Sequence, residues 1–181
     1  MVYTLRIATN DDIPALAQLH CQGGKDSYVD LVPQDYLDTL TPEEFAEKWQ
    51  KWMPDDISTT LIAEDENGNP AGFSMFGPLK TPVPGQSPIR PMYSAELYAI
   101  YLGKDHWGTG LAQMFFKETA AALKEQKHCS MALWVVGGNA RACKFYDKMG
   151  GQRIGKKVVE IGGRKVKEAC FGWRDTSNLL K

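Results

Sequence analysis

The stretch SAELYAIYLGKDHWGTGLAQMFFKETAAALKEQK, residues 94–127, decides the fold. It begins with an apolar run typical of a buried strand, passes through the bend His106-Trp107-Gly108-Thr109-Gly110, and ends in a long helix-forming segment. A strand that leads through such a bend into a helix leaves several backbone N–H groups unpaired and close together. Because the helix dipole adds positive charge at the same end, the bend is predicted to bind a phosphate or pyrophosphate.

Two common phosphate-binding motifs do not fit this bend. A Walker loop requires Gly-Lys-Ser/Thr after four intervening residues, but Gly103 and Gly108 are followed by Thr109. A dinucleotide fingerprint requires a third glycine where Gln113 stands, and an acidic residue about 20 positions further on. A Gly-x-Gly bend can also be a simple connector, so the assignment depends on further matches.

The remaining pattern, Trp107-Gly108-Thr109-Gly110-Leu111-Ala112, resembles the Gln/Arg-x-x-Gly-x-Gly/Ala signature of the GNAT superfamily of acyl-coenzyme-A-dependent N-acetyltransferases. The chain departs from the signature at Trp107, which stands in the Gln/Arg position. A second run, NARACKFYDKMG at residues 139–150, is similar to the Asn-x-x-Ala-x-x-Phe-Tyr-x-x-x-Gly run of the same superfamily. Because the two motifs stand in the right order, the chain resembles this superfamily. The resemblance covers most of the chain and is weakest over residues 23–53 and 77–91.

The composition indicates one domain over residues 1–181, since 181 residues with 43% hydrophobic content can form a single core. The net charge of −1 gives no overall field that would attract nucleic acid or an anionic membrane. The four cysteines are scattered without metal-ligand spacing, so no metal is expected. No apolar run approaches the ~18 residues of a membrane span, and no signal peptide pattern is present, so we expect a cytoplasmic protein.

The pattern of apolar residues and turn signals predicts alternating strands and helices. Predicted strands cover residues 3–8, 59–64, 71–76, 93–102, 131–136, 153–161 and 164–173. Predicted helices follow Thr9-Asn10-Asp11 up to a stop at Gly23-Gly24, run from Thr41 to about Met53, follow the bend, and cover residues 139–149. Short helical turns are expected at 25–40, a proline-rich loop at 77–91, and a frayed or weakly docked tail at 175–181.

This order predicts an α/β fold, and the resemblance makes it a GNAT fold. It implies a mixed twisted sheet of six to seven strands, with helices on both faces and a splayed centre that holds the coenzyme. It also implies acetyl-CoA as cosubstrate and allows a homodimer.

The resemblance assigns the coenzyme contacts to three parts of the chain. Backbone N–H groups of the bend would hold the pyrophosphate, from Trp107, Gly108, Thr109, Gly110, Leu111 and Ala112. Ile100, Tyr101 and Leu102 would pair with the pantetheine arm as a strand does, and a backbone N–H there would polarise the thioester carbonyl. Asn139 and Phe145 match positions that touch the coenzyme from the opposite side, although Phe145 is equally explained by core packing.

Two residues are predicted to move protons. Tyr146 matches the tyrosine that protonates the departing thiolate in the superfamily, and a phenol with a pKa near ~10 stays protonated at neutral pH. A structural tyrosine is the alternative. Glu96 lies within an apolar run, where burial of a carboxylate is costly without a purpose, and several relatives carry a glutamate base at this level. The alternatives for Glu96 are a partner for Arg or Lys, or a substrate anchor.

The acceptor is expected to be a primary amine of a small molecule, such as a polyamine, an amino acid or an aminoglycoside. Tyr98, on the same strand face as Glu96, and Tyr28 are the predicted substrate-binding residues. A peptide terminus or lysine is the alternative acceptor, and a non-catalytic acyl-CoA sensor is a further alternative from another class. The proline-rich loop and residues 25–40 would decide between small and peptide acceptors, according to whether they close over the acceptor side.

Overall fold

The computed structural model describes residues 1–81, 83 and 92–181, and within them seven strands form one sheet. The strands are β1 (Thr4–Ile7), β2 (Thr59–Glu64), β3 (Pro70–Pro78), β4 (Ala95–Leu102), β5 (Met131–Val136), β6 (Gln152–Ile161) and β7 (Arg164–Trp173). The α-helices in the same residues are α1 (Ile13–Tyr28), α2 (Gln34–Thr39), α3 (Pro42–Trp52), α4 (Leu111–Glu125) and α5 (Ala140–Lys148). The predicted order of strands and helices is confirmed.

The sheet has the strand order β1-β2-β3-β4-β5-β7-β6. Neighbouring strands are antiparallel except at the centre, where β4 and β5 run parallel. A parallel pair needs a crossover connection, and α4 provides it here. The predicted mixed sheet is therefore confirmed.

The centre of the sheet is open on one side. The ladder between β4 and β5 contains two pairs, Ala95 with Met131 and Glu96 with Ala132. Both strands then continue, β4 to Leu102 and β5 to Val136, without further pairing between them. The facing backbone groups of the diverging strands are left for another partner. This V-shaped gap is the splayed centre that the resemblance implied.

A β-bulge in β4 changes which way its side chains point. Met75 of β3 pairs with Ala99, whereas the next residue, Phe76, pairs with Leu97, so Tyr98 is the extra residue. An extra residue shifts the alternation of side chains by one position. Tyr98 and Ala99 consequently pack on the same face of the sheet, while Leu97 and Ile100 pack on the other.

Helices cover both faces of the sheet, as expected. On one face, α4 buries Phe115, Phe116 and Leu123 against the sheet completely. On the other face, α1 and α3 bury Leu16 and Trp49 completely. Each fully buried side chain of this kind contributes roughly 1.5–3 kcal/mol through the hydrophobic effect. The two cores thereby fix α4 and α1 on opposite sides of the central gap.

Two local predictions are wrong. The first helix does not stop at Gly23 and Gly24 but continues to Tyr28. A Cβ atom at Gly23 would lie 2.7 Å from Cδ1 of Tyr101, so this glycine lets α1 approach β4, and packing outweighs its low helix propensity. The tail is also not weakly docked, because Leu179 is buried in the core beside α4.

The remaining local signals agree with the structure where it describes them. Thr41 caps α3 by accepting a hydrogen bond from the Glu44 N–H at 3.3 Å. The turn at Asn67-Gly68 joins β2 to β3, and Gly68 has a positive φ of 81°. Most of the predicted proline-rich loop lies outside the described residues, including Pro82, Pro84, Pro88 and Pro91. Among the described residues, no helix has both the length and the apolar character needed to cross a membrane.

Candidate active site

The glycine bend lies at the N-terminus of α4, beside the open gap. Gly108 and Gly110 have φ values of +76° and +95°, a left-handed conformation that favours glycine. A Cβ atom built at either position would meet no atom within 4 Å, and both glycines line a cavity. The space beside them is thus open for a ligand that approaches the backbone closely, and the dipole of the 15-residue helix α4 favours an anion there.

The bend is braced by Tyr3, which directly precedes β1, and by the end of β4. The Tyr3 hydroxyl lies 3.0 Å from Nδ1 of His106 and donates a hydrogen bond to Oγ1 of Thr109 at 3.1 Å. The Thr109 hydroxyl itself donates to the His106 carbonyl at 2.8 Å. Trp107 donates its indole N–H to the Leu102 carbonyl at 3.1 Å. These contacts make the side chain of Thr109 a support for the bend.

The first cavity, of about 410 Å³, lies between the bend, the end of β4 and α5. Most predicted coenzyme-binding residues line it, namely Ile100, Tyr101, Leu102, Trp107, Gly108, Gly110, Ala112 and Phe145. Thr109 and Leu111 do not, and Leu111 is completely buried in the core. Asn139 lines the neighbouring cavity, and its side chain caps α5 by accepting a hydrogen bond from the Ala142 N–H at 3.1 Å.

The second cavity, of about 120 Å³, fills the gap between β4 and β5. Both predicted acceptor residues, Tyr28 and Tyr98, line it together with Trp134. The hydroxyls of Tyr28 and Tyr101 lie 3.1 Å apart, and the Tyr98 hydroxyl donates to the carbonyl of Pro78. Five of the fourteen described residues that line this cavity are aromatic, and hydrogen bonds fix three of these rings.

Tyr146 lines both cavities. Its ring packs among four aromatic rings whose centroids lie between 5.5 and 6.3 Å away, those of Phe116, Phe145, Phe171 and Trp173. Within the described part of the chain, no group forms a hydrogen bond with its hydroxyl. Burial raises the pKa of Tyr146, because the charged phenolate is poorly solvated. The hydroxyl therefore stays protonated where the two cavities meet.

Glu96 lies in β4 with 5% of its surface exposed, at the last pair before β4 and β5 diverge. Its Oε2 atom accepts hydrogen bonds from the backbone N–H groups of Lys80 at 3.0 Å and Thr81 at 2.7 Å. The side chain lines neither cavity. Burial, followed by the negative charge of Glu96 two residues earlier in β4, raises the pKa of Tyr98.

Three basic residues of the first cavity were not among the predicted site residues. Arg141, Lys144 and Lys148 all belong to α5 and line this cavity. Their spacing of three and four residues places them on one helix face, a signal that the second motif already contained. Of the described residues that line the cavity, none is acidic. A glycine bend, an open strand edge and three cations suit an extended, phosphate-bearing ligand such as acetyl-CoA.

A splayed α/β sheet with a glycine bend at a helix N-terminus beside an open strand edge is the architecture expected of an acyl-coenzyme-A-dependent transferase. Residues 26–151 match the model of the Acetyltransferase (GNAT) family, and the chain belongs to that family. It is 32% identical over 176 residues to the uncharacterized N-acetyltransferase YuaI of Bacillus subtilis (strain 168), and the alignment covers 97% of this chain and 95% of YuaI. The protein is thus an N-acetyltransferase, and its family uses acetyl-CoA as cosubstrate.

Two solved structures share the fold at low sequence identity. The ribosomal-protein-alanine N-acetyltransferase from Brucella melitensis is 21% identical with a TM-score of 0.70, covering 94% of this chain and 98% of that chain. The spermidine/spermine N-acetyltransferase SpeG from Vibrio cholerae, crystallised with manganese ions, is 19% identical with a TM-score of 0.66, covering 98% and 95%. In this chain, the described residues contain no group of three or more His, Cys, Asp and Glu side chains that could hold a metal ion.

Proposed function

We propose that the protein transfers the acetyl group of acetyl-CoA to the primary amine of a small molecule by direct attack. The observation that carries this proposal is the second cavity, which is small, lies in the gap between β4 and β5, and shares Tyr146 with the first cavity. Its volume of about 120 Å³ is well below the 410 Å³ of the first cavity and leaves room for an amino group and the few atoms next to it.

The coenzyme would lie along the first cavity. The backbone of the bend, residues 107–112, would hold the pyrophosphate, and Ile100, Tyr101 and Leu102 would pair with the pantetheine arm. This assignment is supported by the edge of β4 beyond Glu96, which has no ladder partner in β5. Phe145 and Asn139 would contact the coenzyme from the side of α5. Bound in this way, acetyl-CoA supplies the thioester whose acetyl group is transferred.

Tyr146 is proposed as the general acid. When the amine nitrogen bonds to the acetyl carbon and the carbon–sulfur bond breaks, the sulfur leaves as a thiolate that needs a proton. Two observations support Tyr146 as the donor: its hydroxyl is free of partners among the described residues, and burial raises its pKa so that the proton is present at neutral pH.

Glu96 is proposed as the proton acceptor. An amine with a pKa near ~10 is mostly ammonium at pH 7 and must lose a proton before it can attack. Because Glu96 lines neither cavity, the proton would reach it through water on the side of Tyr98. The hydrogen bonds from Lys80 and Thr81 define the competing role, in which the carboxylate anchors the loop that follows β3.

Tyr28 and Tyr98 are proposed to bind the acceptor. Aromatic faces attract ammonium groups, and the ammonium of Lys80 already lies 4.5 Å from the centroid of the Tyr98 ring. A peptide is the alternative acceptor, because the Brucella melitensis protein that shares the fold is a ribosomal-protein-alanine N-acetyltransferase. The proline-rich loop, which would distinguish open from closed acceptor sites, lies mostly outside the described residues.

The test is a panel of acceptors assayed for release of the free coenzyme A thiol. The panel contains polyamines, amino acids, aminoglycosides and peptides with a free N-terminus or an internal lysine. Saturable turnover of a small amine, with no turnover of the peptides, is the expected result. Turnover confined to the peptides would replace the proposal with a protein N-acetyltransferase. If a small amine and a peptide inhibit each other's acetylation in a mixture, both classes of acceptor bind at the same site.

A further inference from the structure

The positive charge of the first cavity comes from α5 and not from the bend. The bend and the start of α4, residues 107–113, carry no charged side chain. Among the described residues, the cations that line the cavity are Arg141, Lys144 and Lys148 on one face of α5. At Trp107, where the superfamily signature has Gln or Arg, the bend therefore carries an aromatic ring and no cationic or amide side chain.

Arg141 is the cation of α5 that touches the bend. Its guanidinium carbon lies 3.2 Å from the centroid of the Trp107 ring, so the two planar groups are in direct contact across the cavity. The ring is fixed in turn, because Trp107 donates its indole N–H to the Leu102 carbonyl. A guanidinium held against an aromatic face keeps its N–H groups available at its edge, where they can bind phosphate oxygens in pairs.

Arg141 has no carboxylate partner within salt-bridge distance among the described residues. Asp26 is near enough for its charge to favour the guanidinium, but the two side chains form no ion pair. Burial lowers the pKa of Arg141, as expected for a cation that is partly removed from water without a bound anion. An anionic ligand stabilises such a partly buried, unpaired cation strongly, because the cation has already lost part of its solvation by water and the ligand compensates for that loss.

We infer that Arg141 binds a phosphate group of the coenzyme beside the bend, and that Trp107 positions it by holding its guanidinium. In this chain, helix α5 thus supplies the charge that the Gln/Arg position of the bend does not. The inference rests on the proposed function, because it takes the first cavity to be the coenzyme site. It concerns binding and not chemistry, so its readout is affinity.

The test compares two ligands that differ in their phosphates. Acetyl-CoA carries the pyrophosphate and the ribose phosphate, whereas S-acetylpantetheine has the same acyl arm without phosphate. By titration calorimetry, Arg141→Gln is expected to weaken acetyl-CoA binding roughly 10- to 100-fold, the size of one lost charge-assisted hydrogen bond. Affinity for S-acetylpantetheine should stay within about twofold. Lys165→Gln, an exposed charge that lines neither cavity, is the matched control and should change neither affinity.

The positioning role of Trp107 is tested by a double-variant cycle. Trp107→Leu should weaken acetyl-CoA binding in the parent and have little further effect in the Arg141→Gln background, because it acts through Arg141. An equal effect in both backgrounds would overturn the positioning role. An Arg141→Gln variant that binds acetyl-CoA as the parent does, or that loses both ligands equally, would overturn the phosphate contact.

These outcomes are separate from failure of the proposed function. If the parent protein does not bind acetyl-CoA, or if a folded Gly110→Asp variant binds it unchanged, the first cavity is not the coenzyme site. If Gly110→Asp abolishes binding and Arg141→Gln leaves it intact, the coenzyme site stands and only the role of Arg141 is overturned.

Discussion

Replacing Tyr146 with phenylalanine removes one hydroxyl group and leaves the ring in place. The ring packs among four other aromatic rings, and that packing is retained in the variant. The hydroxyl has no hydrogen-bond partner among the described residues, so its removal breaks no bond. We therefore expect the free energy of unfolding to change by less than about 0.5 kcal/mol.

The catalytic effect should be much larger. Loss of a general acid lowers the rate by roughly 10²–10⁴, which is about 2.7–5.5 kcal/mol of transition-state stabilisation. Tyr146 lines both cavities, and phenylalanine keeps the shape of its ring. The affinity of the Tyr146→Phe variant for acetyl-CoA should therefore stay within about threefold of the parent's. The difference between a large loss of kcat and small changes in stability and binding identifies a group that acts only in the reaction.

Steady-state kinetics, calorimetry and thermal unfolding on the same preparations supply the three quantities. Tyr36→Phe is the matched control, since Tyr36 lines neither cavity and should keep full turnover. The parent should also show no alkaline loss of kcat from this group near the ordinary tyrosine pKa of ~10, because burial raises the pKa of Tyr146. Turnover of the Tyr146→Phe variant within about twofold of the parent would refute the assignment.

Three further predictions concern the bend, the buried carboxylate and a buried histidine. Gly110→Asp adds a side chain and a negative charge where φ is +95° and the space is open, so acetyl-CoA binding should fall below detection in calorimetry while the fold persists. Glu96→Gln should lower kcat/KM most at low pH, where the acceptor is ammonium, and least near the acceptor's own pKa. A KM raised equally at every pH with kcat unchanged would show instead that Glu96 binds the substrate and does not accept its proton. Burial lowers the pKa of His20 to about 4, whereas an unfolded histidine has a pKa of ~6.5. The contribution of His20 to the free energy of unfolding is therefore fully present above pH ~6.5 and is lost as the pH falls towards 4. His20→Phe should remove this loss, at most about 3 kcal/mol, in urea unfolding across that range, and an unchanged pH dependence would contradict it.

Features that depend on a few neighbouring residues could be read from the sequence. Gly108 and Gly110 take the left-handed conformations that their residue type predicts, and the turn at Asn67-Gly68 joins two strands as expected. Tyr146 faces the gap because its motif fixes which side of α5 contacts the sheet. In each case the deciding interaction lies within one element or its immediate flanks.

Features that depend on distant contacts could not be read in this way. Gly23 and Gly24 look like a helix stop, but the ring of Tyr101, 78 positions further along, accounts for the glycine at position 23. The bulge at Tyr98 depends on how β3 pairs with β4, which the sequence of β4 alone does not contain. The partners of Glu96 likewise come from the segment after β3.

The gap between β4 and β5 makes the protein's thermal stability a measure of ligand occupancy. Two ladder pairs join the half of the sheet formed by β1 to β4 to the half formed by β5 to β7, so a ligand lying between them bridges both. A ligand at 100 times its Kd adds about 2.7 kcal/mol, which corresponds to a rise in Tm of roughly 5–10 °C for a domain of this size. A search for the acceptor can therefore begin with melting curves in the presence of free coenzyme A, where no turnover consumes the candidate amine.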